Sequence, residues 1–260
     1  MIKLKIRGIL LVLIICLCGS CGGTSPSQSQ LTIAVASNMQ IAMQEIAERF
    51  TAQHGIRVEV ASASSGILSA QIMQGAPFDI FVSANMRYPN ALKEAGLSLG
   101  AAKIYAYGTL ILWSLDGTDV SQGIAALNSA SVSHFAIANP DTAPYGIAAI
   151  QALDMSGLME VLKDKMVIGE SIAQVNQYVS SGAVQVGLTS SSVMTSPIAS
   201  SLDEHKEVDR ALYRPIEQGV IMLKKGADNN FEAANLFLQY MFSATAKSIL
   251  NSHGYRATET

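Results

Sequence analysis

Short runs of apolar residues alternate with stretches of helical spacing along most of the chain. Each run is long enough for one buried strand and too short for a packed helix, and several end at small or polar residues. The predicted strands cover residues 31–35, 57–62, 79–83, 109–114, 134–138, 184–189 and 219–223.

The stretches between these strands have the spacing of amphipathic helices. Met39, Met43 and Ile46 fall on one face of a helix that extends to Phe50. Alternating strands and helices are typical of α/β proteins with mostly parallel sheets. At 260 residues the chain is longer than most single domains, so we expect two lobes. Further helices are predicted at residues 66–74, 172–179 and 231–250.

Four predicted helices begin at segments of mostly small or polar residues: those at 39–50, 66–74 and 172–179, and a fourth in the stretch ANPDTAPYGIAAIQAL. The first N–H groups of a helix have no partner within the helix, and the helix dipole favours negative charge there. If the four starts meet, they form a site for a small anion. The hydroxyls of Ser37 and Ser65 can supplement these donors, as can the side chains of Asn38 and Tyr145. None of the four segments contains Lys or Arg; they are residues 37–38, 64–66, 144–146 and 170–172.

Helix capping is the alternative explanation for the serine at the first of these segments. Ser37 and Gln40 have the Ser-x-x-Gln spacing of a capping box, in which each side chain accepts a hydrogen bond from a free N–H group at the helix start. The spacing alone leaves both explanations open.

The N-terminus has the pattern of an export signal. Positive residues at positions 3, 5 and 7 precede a short apolar run, and Cys21 follows at the position where a bacterial lipoprotein is cleaved and lipidated. Residues 1–20 are therefore predicted to be a lipoprotein-type signal peptide, with an ordinary secretory signal as the alternative. Residues 21–30, rich in Gly, Ser, Pro and Gln, are predicted to be a flexible tether. We expect an exported protein, in the periplasm or on the outer face of the cytoplasmic membrane and anchored by lipid on Cys21.

The composition excludes several other classes of protein. The net charge is −3, and the chain has no basic cluster, which argues against nucleic-acid binding. The three cysteines all lie in the leader, so the folded part has no disulfide. The four histidines are scattered without metal-ligand spacing, and no Gly-x-Ser-x-Gly motif is present, so neither a metal site nor a serine hydrolase is predicted.

Several stretches together resemble one known family. They are AVASNM, SASSGILSAQIMQGAPFDIFVSAN, ANPDTAPYGIAA, SIAQV and VQVGLTSSSV, in this order. They resemble the molybdate-binding protein of bacterial ABC transporters, and the resemblance runs from about residue 31 to residue 255. It implies a type II periplasmic-binding-protein fold with a ligand cleft between two α/β lobes. The first lobe is expected to contain residues 31–112 and 218–260, and the second residues 113–217.

The resemblance also implies a ligand set. The expected oxyanion-binding residues are Ser37, Asn38, Ser65, Tyr145 and Ile172. Ser64 and Ser190 are further candidates; Ser190 occupies a position at which many members of the family have a tyrosine. Molybdate or tungstate would be held by these neutral donors, with no direct cation ligand, no cofactor and no catalysis. A monomer would deliver it to a membrane permease and its ATPase.

Other cargoes and functions remain as alternatives. A protein of the same fold could bind sulfate or another small oxyanion. Hydrogen phosphate is disfavoured, because its proton requires an acceptor and neither Asp141 nor Glu170 matches a ligand position of the family. A sensor domain of a transcriptional regulator is disfavoured by the export signal and by the lack of a DNA-binding segment.

Overall fold

The computed structural model describes residues 30–199 and 204–258. The predicted signal peptide, the lipidation site Cys21 and the tether up to residue 29 lie outside the described residues. No helix in the described ranges is both long and apolar enough to span a bilayer.

The described residues form eleven strands. The predicted strands are all confirmed to within a few residues, and four further strands, β4, β7, β9 and β11, are additional. In chain order the strands are β1 (Gln30–Ala36), β2 (Arg57–Ala63), β3 (Ile80–Ser83), β4 (Ser98–Gly108), β5 (Leu110–Ser114), β6 (Phe135–Ala138), β7 (Met166–Gly169), β8 (Val186–Ser190), β9 (Glu204–Glu207), β10 (Ile216–Leu223) and β11 (Arg256–Ala257).

Helices occupy most of the chain between the strands. They are α1 (Gln40–His54), α2 (Ser65–Met73), α3 (Arg87–Glu94), α4 (Pro144–Met155), α5 (Met159–Leu162), α6 (Ile172–Ser180), α7 (Lys224–Tyr240) and α8 (Ala244–Ser252). Short 3-10 turns include Ser37–Met39 and Ser191–Thr195. The single helix predicted over 231–250 is wrong. The chain breaks after Tyr240, and α8 starts anew because the Ser243 hydroxyl caps it by accepting the Ala246 N–H at 3.2 Å.

The strands form two sheets. The six-stranded sheet has the order β11-β4-β10-β3-β1-β2, and the five-stranded sheet has the order β7-β6-β8-β5-β9. We call the six-stranded sheet with α1, α2, α3, α7 and α8 the first lobe, and the five-stranded sheet with α4, α5 and α6 the second lobe. The chain passes between the sheets at Thr109 and again between β9 and β10.

The expectation of mostly parallel sheets requires a correction, because both sheets are mixed. β1 is parallel to β2 and β3, and β6 is parallel to β7 and β8. β10 is antiparallel to β3 and β4, β11 is antiparallel to β4, and β5 is antiparallel to β8 and β9. Strands β4 and β10 are more than a hundred residues apart in the sequence, so no hairpin turn between them predicts their pairing.

The expected lobe boundaries stay a prediction. The first of them, at residue 112, falls inside β5, all of which belongs to the five-stranded sheet. The second, at residue 217, falls inside β10, all of which belongs to the six-stranded sheet.

Each sheet has its own apolar core. In the first lobe the predicted stripe of α1 is buried against the sheet, and the Phe50 ring meets the Phe237 ring of α7 edge to face, with 5.0 Å between their centroids. In the second lobe Trp113 of β5 is fully buried in a cluster with Phe135 of β6. Each lobe is therefore stabilised by a buried apolar cluster of its own.

Candidate functional site

A small cavity of about 10 Å³ lies between the two lobes. Both lobes line it, and among the described lining residues none carries a charged side chain. The wall from the first lobe is Ala36, Ser37, Asn38, Ser64, Ser65 and Ala84, and the wall from the second lobe is Ala143, Pro144, Tyr145 and Ile172. The structure therefore brings together all of the sequence-predicted candidates except Ser190.

Ser37 begins the 3-10 turn that joins β1 to α1. Neither that turn nor α1 has a side-chain cap hydrogen bond, so the capping box with Gln40 does not form. Capping therefore does not explain the serine. Its position directly after a central strand of a sheet, at the edge of the cavity, is the place where α/β proteins bind ligands.

Ser65 is the first residue of α2 and Ser64 directly precedes it, and both are almost fully buried. The Ser65 hydroxyl accepts the Ala84 N–H at 3.0 Å, which leaves its own proton free to donate. The Ser64 hydroxyl has no hydrogen-bond partner among the described residues. Because an unpaired buried hydroxyl costs about 1–3 kcal/mol, a partner supplied from the cavity would remove that cost.

Tyr145 and Ile172 stand at the starts of two helices of the second lobe. Pro144 is the first residue of α4, where its missing N–H costs nothing, and Tyr145 follows. Ile172 is the first residue of α6, which is capped by the Ser171 hydroxyl accepting the Gln174 N–H at 3.4 Å. The N–H groups of Tyr145 and Ile172 lie in the first helical turn and have no carbonyl partner within their own helix.

The phenol of Tyr145 is uncharged, and its oxygen accepts a hydrogen bond from Ser190 Oγ at 3.1 Å. Burial raises the pKa of Tyr145 well above its ordinary value, so the hydroxyl keeps its proton at every physiological pH. The cavity therefore offers hydroxyl and amide groups and the positive ends of helix dipoles, but no formal charge.

The side-chain amide of Asn38 bonds to other protein groups and is not free to bind a ligand as expected. Its Nδ2 donates to Gln218 Oε1 and to Tyr255 Oη, both at 3.1 Å, so both amide hydrogens are used. Its backbone carbonyl accepts from Tyr255 Oη at 2.6 Å and from Ser192 Oγ at 2.7 Å. Asn38 is thus fixed at the cavity wall by four hydrogen bonds, and its backbone N–H is the donor that it can still offer.

Ser190 lies behind the cavity rather than in its wall. It is fully buried at the end of β8, and its hydroxyl donates to the Tyr145 hydroxyl at 3.1 Å. In this position it contacts a lining residue and not the cavity itself.

The sequence analysis missed the three buried polar residues that hydrogen-bond to Asn38: Ser192, Gln218 and Tyr255. One signal was available. Gln218 is a single amide beside the apolar run of β10, and it is fully buried. A polar side chain in such a strand needs a buried partner.

Among the described residues no group of three or more His, Cys, Asp or Glu side chains is placed to hold a metal ion. The hydroxyl and backbone N–H donors that line the cavity suit a negatively charged ligand.

Comparison with known proteins agrees with this arrangement. The sequence pattern of the family described as "bacterial extracellular solute-binding protein" matches residues 31–256. The molybdate-binding protein ModA of Azotobacter vinelandii is 36% identical over 228 residues, which cover 87% of this chain and 90% of that protein.

Solved structures show the same relationship. The periplasmic molybdate-binding protein of Azotobacter vinelandii superposes with a TM-score of 0.82 at 31% identity and covers 88% of this chain and 100% of that one. The sulfate-binding protein SubI of Mycobacterium tuberculosis superposes with a TM-score of 0.74 at 13% identity, over 89% of this chain and 88% of that one, which shows a shared fold alone. The chain belongs to the bacterial extracellular solute-binding proteins and, within them, to the molybdate-binding ModA proteins.

Proposed function

We propose that this protein captures molybdate, and tungstate as well, outside the cytoplasmic membrane and passes it to an ABC permease with its ATPase. One observation carries the proposal. Helix starts from both lobes converge on an uncharged cavity at which buried hydroxyls have unused hydrogen-bonding capacity. The relatives named as molybdate-binding proteins support the same cargo. No chemical step is assigned to the protein.

The donors divide between the lobes. In the first lobe the hydroxyls of Ser37 and Ser65 and the backbone N–H of Asn38 face the ligand, and the unpartnered Ser64 hydroxyl is a further donor. In the second lobe the backbone N–H groups of Tyr145 and Ile172 complete the shell. Because hydrogen bonds to a charged group are worth about 1.5–3 kcal/mol each, the ligand gains most when both lobes close on it.

A site made only of donors favours a fully ionised tetrahedral anion. Hydrogen phosphate carries a proton that requires an acceptor. Asp141 and Glu170, which precede the two second-lobe helix starts in the sequence, are exposed and outside the cavity wall. Sulfate meets the same electrostatic requirement as molybdate. It is therefore the second candidate, and the size of the closed cavity must separate the two ions.

A calorimetric titration of the purified protein with molybdate, tungstate, sulfate and phosphate tests the proposal. We expect one site per chain for molybdate and tungstate, with at least 100-fold weaker binding of sulfate and no binding of phosphate. Equal or tighter binding of sulfate would move the assignment to the second candidate. The absence of binding to any of the four would refute an oxyanion site.

We further propose that the chain works as a monomer held on the outer face of the membrane by lipid on Cys21. The lipid anchor rests on the leader sequence, which lies outside the described residues. Metabolic labelling with a radioactive fatty acid in the host tests it, with Cys21→Ala as the unlabelled control.

A further inference from the structure

A C-terminal turn of the first lobe contacts the second lobe through three side-chain and backbone groups; we call this turn the C-terminal clip. The turn consists of His253, Gly254 and Tyr255, directly after α8. Each of the three residues contacts the segment Ser190–Thr195 at the end of β8. The contacts are His253 Nδ1 to Thr195 Oγ1 at 2.6 Å, Ser191 Oγ donating to the Gly254 carbonyl at 2.9 Å, and Tyr255 Oη to Ser190 Oγ at 3.5 Å.

Tyr255 is the member of this clip that reaches the cavity wall. Its hydroxyl is buried, donates its proton to the Asn38 carbonyl at 2.6 Å and accepts from Asn38 Nδ2 at 3.1 Å. It does not line the cavity itself. It therefore holds the 3-10 turn that contains Asn38 from behind.

The direction of these hydrogen bonds fixes the neighbouring amides. Because the Tyr255 proton is committed to a carbonyl, the Asn38 atom that faces the phenol oxygen must be a donor, Nδ2. Nδ2 also donates to Gln218, so the Gln218 atom on that side must be the acceptor Oε1. The orientation set at Tyr255 thus extends through Asn38 to Gln218 in β10.

The same phenol also approaches the wall from the second lobe. Ser190 Oγ lies 3.5 Å from Tyr255 Oη and donates to Tyr145 Oη at 3.1 Å. Tyr145 is the residue whose backbone N–H stands at the start of α4. Tyr255 therefore contacts both Asn38, which lines the cavity from the first lobe, and Ser190, which bonds to Tyr145 of the second lobe.

We propose, on the basis of the proposed oxyanion function, that Tyr255 is a positioning residue for the ligand. Its hydroxyl donates to the Asn38 carbonyl, which also accepts from Ser192 of the second lobe, and it packs beside Ser190, which donates to Tyr145. In this way it holds donors of both lobes in register without touching the anion. Buried hydrogen-bond networks of this kind act as a unit, so loss of one hydroxyl loosens several donors together.

Tyr255→Phe tests this inference by titration with molybdate. The ring volume is kept, and Asn38 retains its bonds to Gln218 and Ser192, so we expect a folded protein. Molybdate affinity should fall about 10-fold, because the variant loses the free energy with which about one buried hydrogen bond orders the donors. The matched control is Tyr178→Phe, since the Tyr178 ring packs on the second-lobe core and its hydroxyl has no hydrogen bond to the described residues.

A double-mutant cycle supplies a readout that a merely structural role would not move. If Tyr255 acts through Ser190 on Tyr145, the loss of molybdate affinity in Tyr255→Phe with Ser190→Ala should be smaller than the product of the two single losses. Ser192→Ala, which removes the second donor to the Asn38 carbonyl, should also weaken binding. If Tyr255→Phe does not fold, unchanged molybdate affinity in Ser192→Ala overturns the inference that support of the Asn38 carbonyl positions the ligand donors.

The outcomes separate the two proposals. Wild-type protein that fails to bind molybdate refutes the proposed function. Wild-type protein that binds, together with a Tyr255→Phe variant of unchanged affinity and 1:1 stoichiometry, overturns the positioning role alone. A loss of affinity no larger than that of Tyr178→Phe overturns it as well.

Discussion

Ser65 and Ser190 are both fully buried serines near the cavity, yet only Ser190 uses its hydroxyl proton in a hydrogen bond to another protein group. Ser65 accepts the Ala84 N–H and keeps its proton for the cavity, whereas Ser190 donates its proton to Tyr145. The family position of Ser190 carries a tyrosine in many members, but here the buried hydroxyl lies one layer behind the wall. The two residues therefore make a matched pair for mutation.

We predict that Ser65→Ala weakens molybdate binding about 10- to 100-fold, because it removes a hydrogen bond to a charged ligand. Ser190→Ala should cost only a few-fold, because it removes a bond between two protein groups. Calorimetric titration of both variants checks the ranking. A larger loss in Ser190→Ala would show that the ligand shell is assigned incorrectly.

Single-residue roles were the least accessible part of the site to sequence reasoning. The positions of Ser37, Ser65, Tyr145 and Ile172 at the cavity follow from helix starts that the local pattern marks. The bonding of Asn38 does not follow. Its partners lie 180 and 217 residues away, and only the folded chain brings those side chains to it.

At the scale of elements, the start of α2 meets the loop before α4 directly across the cleft. The Gly66 N–H donates to the Thr142 carbonyl at 2.8 Å, and Tyr88 Oη donates to the Asp141 carbonyl at 3.2 Å. A Cβ at Gly66 would stand 2.9 Å from Thr142 Cα, closer than real Cβ atoms approach backbone. Gly66 therefore permits the two lobes to close to this distance.

We predict that Gly66→Ala weakens molybdate binding at least 10-fold while the ligand-free protein loses no stability. Alanine favours the helix, but its methyl group keeps the lobes apart. Titration and urea unfolding without ligand check the two halves of the prediction. Ala70→Gly on the exposed side of α2 is the control with the opposite signs: lower stability and unchanged affinity. Tight binding by Gly66→Ala would show that closure to this distance is unnecessary.

Strands were predictable where burial produced an apolar run or, as in the half-buried β2, where polar and apolar residues alternate. β1, β3, β5 and β6 are almost continuously buried and were found. β9 was missed because all of its residues are exposed. It is a charged edge strand, and its pairing partner within the described residues is β5. β4 was missed because its first half alternates irregularly between exposed and half-buried positions.

At the scale of the whole molecule, buried tyrosine hydroxyls make the free energy of unfolding depend on pH in the alkaline range. Burial raises the pKa of Tyr105, Tyr145 and Tyr255 above the ordinary value of about 10. In the unfolded chain these groups ionise near pH 10, whereas the folded protein retains their protons. Their contribution to stability is therefore complete below about pH 9 and is lost as the pH rises beyond 10.

We predict that the free energy of unfolding falls above pH 10 by about 1.4 kcal/mol per pH unit for each such tyrosine. Urea unfolding of the wild type between pH 8 and pH 11 measures the total slope, to which lysines also contribute. Tyr105→Phe should have a shallower slope by about that amount. Identical slopes in the two proteins would contradict the assignment of Tyr105 to the set.

The two-lobed architecture itself was within reach of the sequence, because alternating elements and chain length favour it and the family resemblance specifies it. The mixed pairing was not, since β10 lies between β3 and β4 although it follows them by more than a hundred residues. The position of β10 depends on the completed fold rather than on any local signal.

The insertion of the second lobe between β4 and β10 also orders events during synthesis. The strands of the second lobe come from one consecutive part of the sequence, from Leu110 to Glu207. They leave the ribosome before β10, which must separate and bridge β3 and β4. The second lobe can therefore assemble while the first still lacks its central strand, and the wall that contains Asn38 acquires its support from Tyr255 only when the last residues of the chain are made.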